Sequence, residues 1–187
     1  MELVHLTDLH FNIKWFEWLK KNEKNYDIFC ITGDFLDETK DNIKYQKDYI
    51  RKFIKDFSSL LFVCSGNHDD DIEWLYFEKD NYYFDNCKKE INGIKIGSFP
   101  YLGGNIYDFY DCDILLTHIP PKNTKTSIDK NTLKDYGDFE IYYAIKNGFS
   151  PKFILSGHIH NPLKTKDKLN STIIYNPGLN KHIIKNI

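Results

Sequence analysis

The chain contains seven histidines, and five of them fall in short motifs with acids, an asparagine and glycines. The motifs are Asp8-Leu9-His10, Gly33-Asp34, Gly66-Asn67-His68-Asp69, His118 and Gly157-His158-Ile159-His160. Imidazole and carboxylate without thiolate make the donor set of a hard or borderline metal site. Asp-x-His and His-x-His spacings can present two ligands from one tight turn. A single carboxylate, best placed on Asp34, can bridge two cations about 3.5–4 Å apart, as two-metal hydrolysis requires. Glycines ahead of Asp34, Asn67 and His158 let the backbone turn sharply beside such ions. Each fragment alone arises often by chance. Five in series, each after an apolar run, would otherwise leave several polar groups buried without partners, which is costly.

The elements that must position these groups are legible as alternating apolar runs and helical segments. Glu2–Thr7 reads as a strand and Asn12–Lys24 as a helix with Trp15, Phe16 and Leu19 on one face. Asp27–Thr32 is a second strand. A long helix lies within 40–57, where Tyr45, Tyr49, Phe53 and Phe57 recur every four residues, and Leu60–Ser65 is a third strand. Near-continuous apolar strands separated by helices indicate a parallel sheet covered on both faces. Further on, Asn92-Gly93 within Glu90–Phe99 predicts a hairpin. Asp113–Thr117 and Lys152–Ser156 read as buried strands, with a polar loop over 120–136 and a helix near 139–146 between them. Leu163–Lys166 and Thr172–Tyr175 read as a closing hairpin around 168–171. The motifs stand where strands end, the edge at which open α/β sheets bind ligands. No repeat or linker interrupts the chain, so residues 1–187 read as one domain.

Composition narrows the classes. At 187 residues and 41% hydrophobic content the chain can bury an ordinary core. No apolar run approaches the roughly 18 residues of a membrane span, and no secretory signal precedes the first strand. The expected location is cytoplasmic. A net charge of −2 with both signs scattered gives no basic track for nucleic acid. Cys30, Cys64, Cys87 and Cys112 show no CxxC spacing and read as buried or inert thiols. His5 reads as structural and His182 as a surface residue.

The ordered motif series from Asp8 to His160, with Asn176-Pro177-Gly178 after it, resembles the calcineurin-like metallophosphoesterase superfamily. The resemblance implies a four-layer αββα sandwich with two mixed β-sheets. It implies that Asp8, His10 and His160 hold one metal, and Asn67, His118 and His158 a second, with Asp34 bridging. It also implies a metal-activated water that attacks phosphorus in line. His68 corresponds to the general acid, and Asp69 would orient it through its other ring nitrogen. Asp69 also opens an Asp69-Asp70-Asp71 run whose plainer reading is helix capping. The cofactors expected are two divalent or mixed-valence transition metal ions, Mn, Fe or Zn first, with Ni or Co also compatible.

The activity that follows is hydrolysis of phosphomonoesters or phosphodiesters of a small phosphorylated substrate. A nuclease or nucleotide pyrophosphatase of the same superfamily is the alternative, and a silent metal-binding scaffold a further one. Arg51 is the only arginine and lies on a helix away from the motif edge, so no bidentate arginine clamp on phosphate is expected. Tyr101–Tyr110, with Gly103-Gly104, is either a segment that closes over substrate, using Tyr107 and Tyr110, or packing over the sheet edge.

Overall fold

A computed structural model of the chain describes residues 1–185 and 187. Its elements follow the apolar runs. The first sheet holds β1 (Glu2–Leu6), β2 (Ile28–Thr32), β3 (Leu60–Cys64), β4 (Tyr82–Phe84) and β11 (His182–Lys185), in the order β11-β1-β2-β3-β4. The first four run parallel and β11 antiparallel. The second sheet holds β5 (Cys87–Ile91), β6 (Ile94–Ser98), β7 (Ile114–Leu116), β8 (Phe153–Leu155), β9 (Lys166–Leu169) and β10 (Thr172–Tyr175), in the order β5-β6-β7-β8-β10-β9. Its two edge pairs are antiparallel and its centre is parallel.

Three separate cores show that these sheets form the inner layers of a four-layer αββα sandwich. Leu3, Ile28, Cys30, Phe62 and Cys64 of the first sheet meet Ile96, Ile114, Leu116 and Leu155 of the second. The other face of the first sheet packs Val4, Leu6, Phe29, Ile31 and Val63 against α1 (Ile13–Asn22) and α2 (Ile43–Asp56). The other face of the second sheet packs Leu115, Ile154 and Ile174 against Ile141, Ala144 and Ile145 of α3 (Phe139–Lys146). Strands buried on both faces are why the runs read as continuously apolar rather than alternating.

Three expectations move. The α2 face that enters the core is Gln46, Ile50, Phe53 and Ile54, while Tyr45 is 58% exposed. Of the aromatic row, Phe53 and Phe57 lie in the core and Tyr49 packs against it, while Tyr45 stands at the exposed rim. The closing hairpin pairs Lys166–Leu169 with Thr172–Tyr175, with Asn170 at positive φ in the two-residue turn. Lys168 and Leu169 therefore belong to the strand. His182 is half-buried on β11, opposite His5, with its ring on Tyr175 at a centroid distance of 4.4 Å. Cys30, Cys64 and Cys112 are buried and Cys87 half-buried. Burial pushes the Cys87 and Cys112 thiols up to about 11. Among the described residues no helix is long and apolar enough to cross a membrane.

Candidate metal centre

All seven proposed ligand residues and His68 lie at the carboxyl edge of the strands. β1 runs into Asp8 and His10, β2 into Asp34, β3 into Asn67 and His68, β7 into His118, and β8 into His158 and His160. Backbone hydrogen bonds lace these turns together. Asp8 N–H donates to Gly33 O (3.1 Å), His10 N–H to Asp34 O (2.9 Å) and Gly157 N–H to His118 O (2.8 Å). Asp8, His10, Asp34 and His158 hold φ of 51, 40, 57 and 66°, in the left-handed region. Such a conformation costs a non-glycine residue of order 1–3 kcal/mol and persists only where surrounding contacts enforce it. At Gly157 a Cβ would collide with the Thr7 hydroxyl and lie 2.6 Å from Asp8 Oδ2, so only glycine lets this turn approach β1 so closely.

Two groups of donors emerge. Ligand atoms of Asp8, His10, Asp34 and His160 all lie within 4.8 Å of one another. In the second group Asn67 Oδ1 is 2.8 Å from His118 Nε2 and 2.9 Å from His158 Nδ1. Asp34 stands between them, with Oδ2 3.8 Å from His10 Nε2 and Oδ1 3.4 Å from His118 Nε2.

The hydrogen bonds around these groups fix which atoms are free to act as metal donors. His10 Nδ1 faces Leu36 O (3.2 Å) and His118 Nδ1 faces Thr32 O (2.8 Å). A carbonyl only accepts, so each Nδ1 carries a proton, which leaves Nε2 as the ring atom turned inward toward the donor group. His10 Nε2 meets His160 Nε2 at 2.9 Å, and His118 Nε2 meets Asn67 Oδ1. Asp8 Oδ2 accepts from Thr7 Oγ1 (2.6 Å) and His158 N–H (3.0 Å), leaving the buried Oδ1 without a hydrogen bond. A buried carboxylate oxygen without a partner is costly unless a cation sits beside it. Burial and the neighbouring His118 pull His158 down to about 4, which keeps it a neutral donor. The Asp8 carboxylate, with Oδ1 3.3 Å from His160 Nε2, raises His160, and burial only partly opposes it. Burial pushes Asp8 upward, yet its contacts with His160, His118 and Thr7 prevail and hold its carboxyl below the usual range.

The three aspartates after His68 have separate tasks, and Asp69 does not take the expected one. His68 Nδ1 bonds to Glu38 Oε2 at 2.7 Å. Asp69 is fully buried and accepts from the N–H groups of Asp34, Phe35 and Gly66. Burial and the charge of Asp34 push its carboxyl up to about 7. Asp70 pairs with Lys47, and Asp71 caps the short 3-10 turn Ile72–Leu75. Glu38 is thus a site residue that the motifs do not reveal. Its only sequence signal is an acidic Asp37-Glu38 pair shortly after Asp34. Burial pulls His68 down, but the Glu38 hydrogen bond and the charge of Asp34 outweigh it and raise the ring's pKa.

A cleft of ≈ 540 Å³, lined by His10, Asp37, Glu38, Thr39, His68 and His160, opens over the first donor group. Among the described residues no lysine or arginine lines it; Arg51 donates to Trp74 O and lies over Phe77. A second groove of ≈ 570 Å³ runs between α1 and α2 over Phe16, Tyr49 and Phe53, and carries none of the motif residues. Tyr110 stacks on Phe149 and sits with the outer core of the second sheet, while Tyr107 lies against Tyr110 and is exposed. The tyrosine that reaches the site is Tyr101, whose ring is 5.9 Å from that of His118. Asn176 is buried and donates to Gly157 O and Ile159 O, holding the last ligand turn.

A four-layer sandwich with imidazole, carboxylate and amide donors gathered at one sheet edge defines a metal-dependent hydrolase of phosphoric esters. The chain belongs to the calcineurin-like phosphoesterase family, whose sequence profile matches residues 1–162. A search of curated proteins finds no match. Among solved structures it is similar to TT1561 of Thermus thermophilus, with a TM-score of 0.64 and 11% identity over 95% of this chain and 88% of that one. A novel archaeal phosphodiesterase superposes with a TM-score of 0.54 and 16% identity over 95% and 84%. Purple acid phosphatase PPD1 from yellow lupin (Lupinus luteus) seeds gives 0.59 and 15%, over 95% of this chain and 44% of that one. At these identities the likenesses speak for the fold.

Proposed function

We propose that the chain hydrolyses phosphomonoesters or phosphodiesters of a small substrate at a dinuclear centre, with His68 as the proton donor to the leaving group. Asp8, His10 and His160 would hold one ion and Asn67, His118 and His158 the other, with Asp34 shared. The observation that carries this reading is the Asp34 carboxylate, which turns one oxygen toward each donor group. Two bound cations would lower the pKa of a water held between them and neutralise phosphate charge. N,O donors suit Mn, Fe or Zn, and also Ni or Co.

The chain's own residues do the rest. Glu38 occupies His68 Nδ1, so the other ring nitrogen is the one free to give a proton to the departing oxygen. His10, His160 and His68 bound the cleft in which the phosphoryl group would sit. With no lysine or arginine there, phosphate affinity would come from the metals and a protonated His68, which argues against the arginine-clamped design of a protein phosphatase.

The test is hydrolysis of p-nitrophenyl phosphate and bis(p-nitrophenyl) phosphate after chelation, with Mn²⁺, Fe²⁺, Zn²⁺, Ni²⁺ or Co²⁺ returned singly. Activity restored by metal is expected, and Asp34→Ala should lose bound metal and turnover together. Inactivity with every metal would favour a silent scaffold.

A further inference from the structure

We infer that Asp69 is a backbone clamp that sets the spacing of the two metal half-sites, an inference that rests on the two-metal reading above. Its Oδ2 accepts from Asp34 N–H (3.0 Å) and Gly66 N–H (2.7 Å), and its Oδ1 accepts from Phe35 N–H (2.6 Å). One carboxylate thereby holds the turn that carries the shared ligand and the start of the turn that carries Asn67. The two turns also press directly on each other. A Cβ at Gly66 would collide with the backbone nitrogen and carboxylate of Asp34, and one at Gly33 would lie 2.7 Å from Gly66 Cα. His68 N–H closes the ring by donating to Asp34 Oδ1 at 2.8 Å. Trp74 Nε1 anchors the clamp from behind through Asp69 O at 3.1 Å.

The chemistry calls for a carboxylate. Three converging N–H donors need acceptor lone pairs on both oxygens, and an amide would turn its own NH₂ against at least one of them. Asp69 reaches neither the cleft nor the inward-facing ligand atoms, so it acts through Asp34 and Asn67 and is a positioning residue. A carboxylate that only capped a helix would not bind amides from two different strand ends.

The experiment titrates Mn²⁺ calorimetrically into the metal-free full chain, wild type and Asp69→Asn, with circular dichroism as the control for folding. We expect the variant to keep its secondary structure while its Kd for Mn²⁺ rises about 10–100-fold at both half-sites, the range for lost outer-shell partners. Wild-type affinity in the variant, or weakening at one half-site alone, overturns the clamp. Amide exchange in the metal-free wild-type protein decides the matter even if the variant fails to fold. Protection at Asp34, Phe35 and Gly66 supports the clamp, and exchange at unprotected rates overturns it. Fewer than two Mn²⁺ bound by the wild type defeats the two-metal reading instead, and the exchange result then judges the clamp on its own.

Discussion

Glu38 Oε2 lies 2.7 Å from His68 Nδ1, across a loop that α2 holds in place. Gln46 of α2 is buried, accepts from Asp37 N–H at 2.8 Å and donates to Asp37 O at 2.9 Å, which fixes the residue just before Glu38. The imidazole is thereby oriented from a helix whose other task is packing. Glu38→Gln keeps a hydrogen bond but removes the charge that favours the protonated ring. We expect kcat to fall about tenfold with KM and bound metal unchanged, short of the 10²–10⁴-fold typical of losing a general acid outright, which is the loss expected of His68→Ala. A leaving-group series checks the assignment: the deficit should grow as the leaving alcohol becomes more basic. A deficit independent of leaving group would contradict proton donation by His68.

Much of this was legible in the chain for a physical reason. Strands buried on both faces write unbroken apolar runs, as in Ile28–Thr32 and Leu60–Cys64, and the motif residues stand where those runs stop. β9 lies at Lys166–Leu169 and not at Leu163–Lys166 because an edge strand with little burial leaves no apolar signature to fix its bounds. Glu38 escaped because its role depends on the loop fold that Gln46 imposes. Asp69 stands beside His68 in the sequence, whereas its carboxylate accepts from residues 34, 35 and 66. Adjacency in the chain said nothing about which way the carboxylate turns.

Close approach of the last ligand turn to β1 yields a second test. A Cβ at Gly157 would have to displace the Thr7 hydroxyl and crowd Asp8 Oδ2. Gly157→Ala should destabilise the chain by about 1–3 kcal/mol, the usual scale of overpacking, and should weaken metal binding as Asp8 shifts. Urea unfolding and Mn²⁺ titration measure the two effects. Lost stability with unchanged metal affinity would count against Asp8 as a ligand.

The tyrosines separate packing from specificity. Tyr110 stacks on buried Phe149, with ring centroids 5.0 Å apart, and packs against the outer core of the second sheet. Tyr110→Ala should lower stability by about 2 kcal/mol, less than the 3–5 kcal/mol of a fully buried aromatic, with kcat/KM unchanged. Tyr101→Ala removes the ring beside His118 and should alter kcat/KM unequally for aryl and alkyl esters. A kinetic panel over both substrate types distinguishes them. Equal effects of Tyr110→Ala on all substrates would mean that the outer core reaches the site.

His5 supplies a pH signature independent of catalysis. It is fully buried behind the site, with Nε2 2.9 Å from Thr32 Oγ1 and Nδ1 without a partner. Burial first, and then His182, pull its pKa from the ordinary 6.5 to about 3. The unfolded chain therefore takes up a proton at His5 below about pH 6.5 while the folded chain refuses it down to about pH 3. Protons bound preferentially by the unfolded state drive unfolding, so the wild type should lose of order 1.4 kcal/mol per pH unit between about pH 6 and 4 from this residue. Asp85, which burial raises to about 6, acts with the opposite sign, since its folded form gains a proton as pH falls. Both Asp85 and His158 are common to wild type and variant and cancel in their difference. Urea unfolding of wild type and His5→Gln at several pH values isolates the effect: the stability of the wild type relative to the variant should fall steadily on acidification. Parallel curves would mean that His5 takes a proton in the fold as readily as in the unfolded chain.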